Sequence, residues 1–200
     1  MDWHLFLVSF LLIFPVELPD KTFVAALVLS TRYRPFPVWI GVGLAFGVQC
    51  LVAVTAGQAV SFLPEWFVHA LSTLMFLVGA IILLRQAPKA DAEEKEQEEE
   101  FARKATQDQK GWHAALTSFL VLFAAEWGDL SQLFTITLVA KYEDPIGVFI
   151  GALGALMTVS ALAVVAGKQL LRWVPLHVLH YVGAGVCLVL ALVTGYELVA

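Results

Sequence analysis

Glu17-Leu18-Pro19-Asp20-Lys21-Thr22 lies midway along a run of apolar residues and carries two carboxylates and an ammonium. Glu126-Trp127-Gly128-Asp129-Leu130-Ser131-Gln132 interrupts a second apolar run in the same way. The surrounding chain is 60% hydrophobic and 14% charged, with a mean hydropathy of +0.80. A soluble domain of 200 residues could not cover that much apolar surface. The composition therefore indicates an integral membrane protein, and nothing in it suggests a nucleic-acid partner.

Working outward from the two motifs, the apolar runs predict an all-α membrane protein of six spans. These are His4 to Thr31, Val38 to Phe62, Phe67 to Leu84, Trp112 to Val139, Ile146 to Leu170 and Leu176 to Leu198. The first and fourth are the long ones. At about 1.5 Å per residue each reaches roughly 40 Å, against about 30 Å for a bilayer core. The apolar part before Glu17 covers only roughly 20 Å and cannot cross alone, and the same holds before Glu126. Each acidic motif is therefore expected near mid-membrane, with a re-entrant hairpin as the alternative.

The expected breaks have a chemical cause. Pro15 and Pro19 lack amide protons, so the carbonyls of Leu11 and Pro15 lose their helical partners. Gly128 weakens the helix at the matching point of the fourth span. Irregular backbone at this depth survives only where protein or a water-filled cavity satisfies it. Gly43 with Gly47, and Gly147 with Gly151, have the spacing that lets membrane helices approach closely. Cys50 and Cys187 sit in apolar runs and read as packing residues rather than a disulfide. No basic region precedes the first apolar run and no small-residue cleavage pattern follows it, so no removable signal peptide is expected.

The two halves align when the sequence is shifted by 109 residues. Trp3-His4 then falls on Trp112-His113, Ser9-Phe10-Leu11 on Ser118-Phe119-Leu120, Glu17 on Glu126 and Asp20 on Asp129. With one added residue, Gly41 falls on Gly151. This is an internal repeat. Residues 1–85 form the first three-helix unit, 86–111 a linker and 112–200 the second unit. An odd number of spans per unit makes the second copy inverted, a plan of many secondary transporters.

The linker holds seven of the 17 acidic residues, between Asp91 and Glu100, and reads as a solvated, partly helical segment. The loops after the first, third and fifth spans, with their flanks, hold ten of the 12 basic residues, and the opposite side only Lys141. That imbalance puts the linker in the cytoplasm and both termini outside. The five histidines, His4, His69, His113, His177 and His180, lie at span ends and read as interfacial anchors.

Three residues apart, Glu17 and Asp20 can point together, and so can Glu126 and Asp129. If the breaks meet, four carboxylates converge, with Thr22, Ser131 and Gln132 as neutral oxygen donors and Lys21 offsetting one charge. Four such groups cannot all stay ionised in a low-dielectric site. The site then holds protons, and an arriving divalent cation displaces them, which couples cation to proton movement. All-oxygen donors suit Mn²⁺, Ca²⁺ and Mg²⁺ over zinc or copper.

The paired motifs resemble those of the small cation/proton antiporters of Golgi, chloroplast and bacterial membranes, marked by two copies of E-x-G-D-[KR]-[ST]. The similarity covers nearly the whole chain. It implies export of Mn²⁺ or Ca²⁺ from the cytosol against protons, with Glu17, Asp20, Glu126 and Asp129 as the ion-binding carboxylates. The human Golgi member is linked with manganese handling, and Mn²⁺ is the expected substrate here, with a Ca²⁺/proton antiporter using the same site as the alternative. Pro19 replaces the glycine of the first motif and Leu130 the basic residue of the second, which makes the halves electrostatically unequal. The expected setting is the bacterial inner (plasma) membrane, with no permanently bound cofactor and no enzymatic activity; monomer and homodimer both remain open. An exporter of a cationic organic solute would want a roomier pocket, and an aspartyl hydrolase built on Asp20 and Asp129 leaves both glutamates without a role.

Overall fold

The computed structural model describes residues 3–18, 20–105, 111–142, 144–173 and 175–199. Pro19 and residues 106–110 of the expected linker lie outside them, so the expected break at Pro19 does too. Among the described residues the fold is entirely helical. The first motif separates α1 (Trp3–Glu17) from α2 (Lys21–Arg32). Two long helices follow, α3 (Pro35–Val60) and α4 (Glu65–Gln86), and a short 3₁₀ turn leads into α5 (Ala90–Lys104). The second motif separates α6 (Trp112–Ala125) from α7 (Leu130–Tyr142), and α8 (Pro145–Trp173) and α9 (Leu176–Val199) complete the chain.

Prolines mark the helix starts. Pro35 and Pro145 are the first residues of α3 and α8, where a missing amide proton costs nothing. Asp144 caps α8 by accepting the Gly147 N–H at 3.0 Å. Pro15 behaves differently from the expectation. It sits inside α1, which runs on to Glu17. The loss of one hydrogen bond does not end a helix whose remaining backbone stays in the helical region.

α3, α4, α8 and α9 are each long and apolar enough to cross a membrane, and α6 with α7 makes a fifth span if the pair, bent by 71°, is counted as one. α1 alone is short, at 15 residues. Large apolar side chains such as Leu7, Leu51, Leu120, Val165 and Leu192 point outward on several of these helices. Such a surface belongs against hydrocarbon, and the chain is an integral membrane protein.

α3 lies at the centre, packed on α6, α7 and α8, while α1 packs on α8 and α4 on α9. The closest helix approaches come in a matched pair. A methyl group on Gly41 of α3 would overlap the Ala115 carbonyl of α6. A methyl on Gly151 of α8 would lie 2.5 Å from the Phe6 carbonyl of α1. Gly41, rather than the expected Gly43–Gly47 pair, makes the contact: Gly47 faces open space and Gly43 a flexible Met157 side chain. Phe10 stacks on Phe14 and Phe119 on Phe123, both at 5.6 Å and 12°. Ser9 and Ser118 are both fully buried. Cys50 and Cys187 are free and buried, as packing residues would be.

The acidic segment is more ordered than a solvated linker. α5 buries Ala90, Phe101 and the following Ala105 along one side and packs against α2 and α9.

Candidate metal centre

The same backbone hydrogen bond marks both breaks. After α1, the Asp20 amide donates to the Glu17 carbonyl at 3.0 Å, and the Asp20 carbonyl accepts from the Phe23 amide at 3.1 Å. After α6, the Asp129 amide donates to the Glu126 carbonyl at 3.2 Å. Gly128 has φ +79°, a left-handed conformation that carries the chain out of one helix and into the next. The sequence expectation put each carboxylate pair on one helical face. The turn delivers the same three-residue neighbourhood between helices.

The two turns stand side by side. Glu17, Asp20, Glu126 and Asp129 each offer a carboxylate oxygen, and these oxygens all lie within 4.8 Å of one another. Glu17 and Glu126 are buried, at 1% and 3% exposure, while Asp20 and Asp129 are partly exposed. Thr22 donates its hydroxyl to Glu17 Oε1 at 2.8 Å, and Ser131 to Asp129 Oδ2 at 3.2 Å. Glu17 Oε2, Asp20 Oδ2 and Glu126 Oε1 are buried without a hydrogen-bonding partner. Buried oxygens are rarely left so, and each of these carboxylates has an oxygen free to serve as a cation ligand. Gln132, expected among the donors, uses its oxygen to accept the Gly128 N–H at 2.9 Å.

A cavity of about 300 Å³ leads to the aspartates. Asp20, Lys21 and Asp129 form its floor, and Gln86, Glu93 and Gln97 from the end of α4 and from α5 form its wall. Lys21 thus stands where it can offset charge at the site. His180 is not an interfacial anchor. It is 6% exposed, with Nδ1 3.0 Å from the Leu176 carbonyl, and it lines this cavity. His177 reaches α5 instead: its Nδ1 lies 2.6 Å from Asp91 Oδ2, and its amide donates to Oδ1 at 3.2 Å. Partial burial pushes the Asp91 carboxyl up, but the hydrogen bonds from the His177 ring and amide outweigh it and hold the group below its ordinary range.

Sequence reasoning passed over Gln49, and it read Glu93 and Gln97 as part of the acidic linker and His180 as a span-end residue rather than as lining one cavity. Gln49 did leave a signal, an uncharged amide at the centre of an apolar run. Buried amides at such depth are there to be hydrogen-bonded.

The model of one family, the divalent cation/proton antiporter GDT1, matches residues 5–91 and 114–200. The chain belongs to the GDT1 divalent cation/proton antiporter family. The second matched segment begins and ends 109 residues after the first, the same shift that aligns the two motifs. A GDT1-like protein of Synechocystis (sll0615) is 33% identical over 171 residues, covering 82% of each chain. The chloroplastic protein PAM71 of Arabidopsis thaliana is 31% identical over 96% of this chain, which spans only 56% of that protein. A GDT1-like protein of Schizosaccharomyces pombe is 26% identical over 94% of this chain and 81% of its own length. No solved structure matches. Membership places the chain among divalent cation/proton antiporters, and the four carboxylates are described acids close enough together to share a metal ion.

Proposed function

We propose that the chain exports Mn²⁺ from the cytosol in exchange for protons, through a site made by Glu17, Asp20, Glu126 and Asp129. The observation that carries this reading is the convergence of four carboxylates within 4.8 Å with three of their oxygens buried and unpartnered. Thr22 and Ser131 complete a set of six oxygen donors, the number that a compact six-coordinate cation takes. Lys21 offsets part of the negative charge. Zinc and copper would draw on nitrogen or sulfur ligands, and none is in this group.

The cycle follows from the arrangement. A cation enters the cavity beside α5, meets Asp20 and Asp129 at its floor and is drawn in against Glu17 and Glu126. The carboxylates cannot gather two positive charges and keep their protons, so protons leave as the cation binds. Reloading with protons from the opposite side releases the cation there.

The transport plan is two inverted three-helix units, residues 1–85 and 112–200, joined by the segment 86–111. In it α1 with α2, and α6 with α7, are the broken first and fourth of six spans. The reciprocal contacts of Gly41 and Gly151, the equal phenylalanine stacks and the paired family match support this plan. In this reading the protein sits in a bacterial plasma membrane, and the imbalance of basic residues supports an orientation with α5 in the cytoplasm and both termini outside.

A Ca²⁺/proton exchanger on the same site is the second reading. It is favoured by the width of the oxygen cluster, because ligands on opposite sides of Ca²⁺ stand roughly 4.6–5.2 Å apart. Proteoliposomes with an imposed proton gradient decide between the two. Wild-type protein is expected to carry Mn²⁺ with at least tenfold lower KM than Ca²⁺, and Glu17→Gln or Glu126→Gln to abolish proton-coupled flux. Flux that survives both substitutions would remove the four-carboxylate site from consideration.

A further inference from the structure

One amide side chain ties the second break together. Gln49 lies in the middle of α3 and is 4% exposed. Its Nε2 donates to the Phe123 carbonyl at 2.9 Å, and its Oε1 accepts from Gln132 Nε2 at 2.8 Å. Gln132 Oε1 accepts the Gly128 N–H at 2.9 Å. These three bonds run from the last turn of α6, across α3, and back to the turn between Glu126 and Asp129. α6 ends at Ala125, so its final carbonyls lose their helical partners, and Gln49 supplies a donor to one of them.

Among the described residues the first break has no counterpart. There the carbonyl equivalent to that of Phe123 belongs to Phe14, and the Leu18 amide satisfies it at 3.2 Å. The positions equivalent to Gln49 and Gln132 hold Val159 and Phe23, both buried hydrocarbon. Gln49 and Gln132 share with Glu126 and Ser131 the lining of a void of about 10 Å³, room for at most one water-sized group.

We propose that Gln49 is a positioning residue: acting through Gln132, it locks the second break and fixes where Glu126 and Asp129 stand. This rests on the reading that the four carboxylates hold the transported cation. Buried amides bonded at both ends have one geometry, and removing one end strands the other.

The test uses the full chain in proteoliposomes, with Mn²⁺ flux under a proton gradient. Gln49→Leu is expected to raise the KM for Mn²⁺ about tenfold and to change kcat by less than about twofold. Gln132→Leu should do the same, and the double variant should be no worse than either single, because both break one chain. Gln49→Glu, which keeps an acceptor for Gln132 but loses the donor to Phe123, should fall between. In detergent, amide hydrogen exchange at Gly128 should speed up in Gln49→Leu while exchange at Asp20 stays unchanged. An unchanged KM, singles whose effects multiply in the double, or an unaltered Gly128 exchange each overturns the proposal. Should Gln49→Leu fail to reconstitute, Gln132→Leu and its exchange pattern carry the same decision. A wild-type chain that moves no divalent cation instead removes the antiport reading beneath it, and the exchange measurement still decides whether the clamp exists.

Discussion

At the scale of single residues, Gly128 is constrained by its backbone rather than by its neighbours. Its φ of +79° is a region that side chains with a Cβ enter at a cost of about 1–3 kcal/mol. Nothing lies near a Cβ built there, so Gly128→Ala tests backbone strain alone. We expect it to lower thermal stability in detergent by about 1–2 kcal/mol. The glycine was legible as a helix weakener because it stood between two acids. The four carboxylates were legible for a related reason: charge inside an apolar run has few uses other than function. Gln49 was harder to read. Its role depends on the Phe123 carbonyl, 74 residues away, and nothing in the local sequence says which buried carbonyl will need a donor.

At the scale of elements, α5 shows what an acid-rich composition conceals. Seven carboxylates between Asp91 and Glu100 suggested a segment bathed in water. Ala90, Phe101 and Ala105 nevertheless fall at helical spacing and are 2%, 4% and 5% exposed. Three apolar contacts among many charges give a weak periodic signal, yet they are enough to dock the helix. Asp91 adds a hold that depends on pH. Its folded-state carboxyl titrates below its ordinary range, so the contribution is fully present above about pH 4, the ordinary aspartate value. It is lost as pH falls through the lowered folded value. Amide exchange in α5 should therefore accelerate on acidification into that range, and His177→Ala should remove the dependence. Because Asp91 is largely exposed, the effect is expected to be small and to weaken in high salt.

At the scale of the whole molecule, the cavity joins the acids to α5. Its lining runs from Asp20 and Asp129 to Glu93 and Gln97 of α5. Ile82 and Trp127 line it. Cysteines placed there should react with a membrane-impermeant thiol reagent added on the α5 side and resist the same reagent on the opposite side. Cys50 and Cys187 are buried, so background labelling should be low. Equal labelling from both sides would mean that the cavity is not a one-sided vestibule. The all-helical, membrane-embedded character of the molecule was legible because its signals were long: apolar runs of spanning length. Which helices would touch was not, because G-x-x-x-G spacing names candidate surfaces and only the assembled bundle selects Gly41 over Gly43 and Gly47.

The far end of α7 adds a mechanical constraint. Lys141 is 5% exposed along its side chain and pairs with Glu197 of α9 at 2.5 Å, and His69 of α4 stands 3.5 Å from the same carboxylate oxygen. Pulling α7 away from α9 here would strand an ammonium in a poorly hydrated place, which is among the more expensive changes a protein can make. This end of α7 is therefore fastened to α9, and any motion that parts the two helices must first break this ion pair.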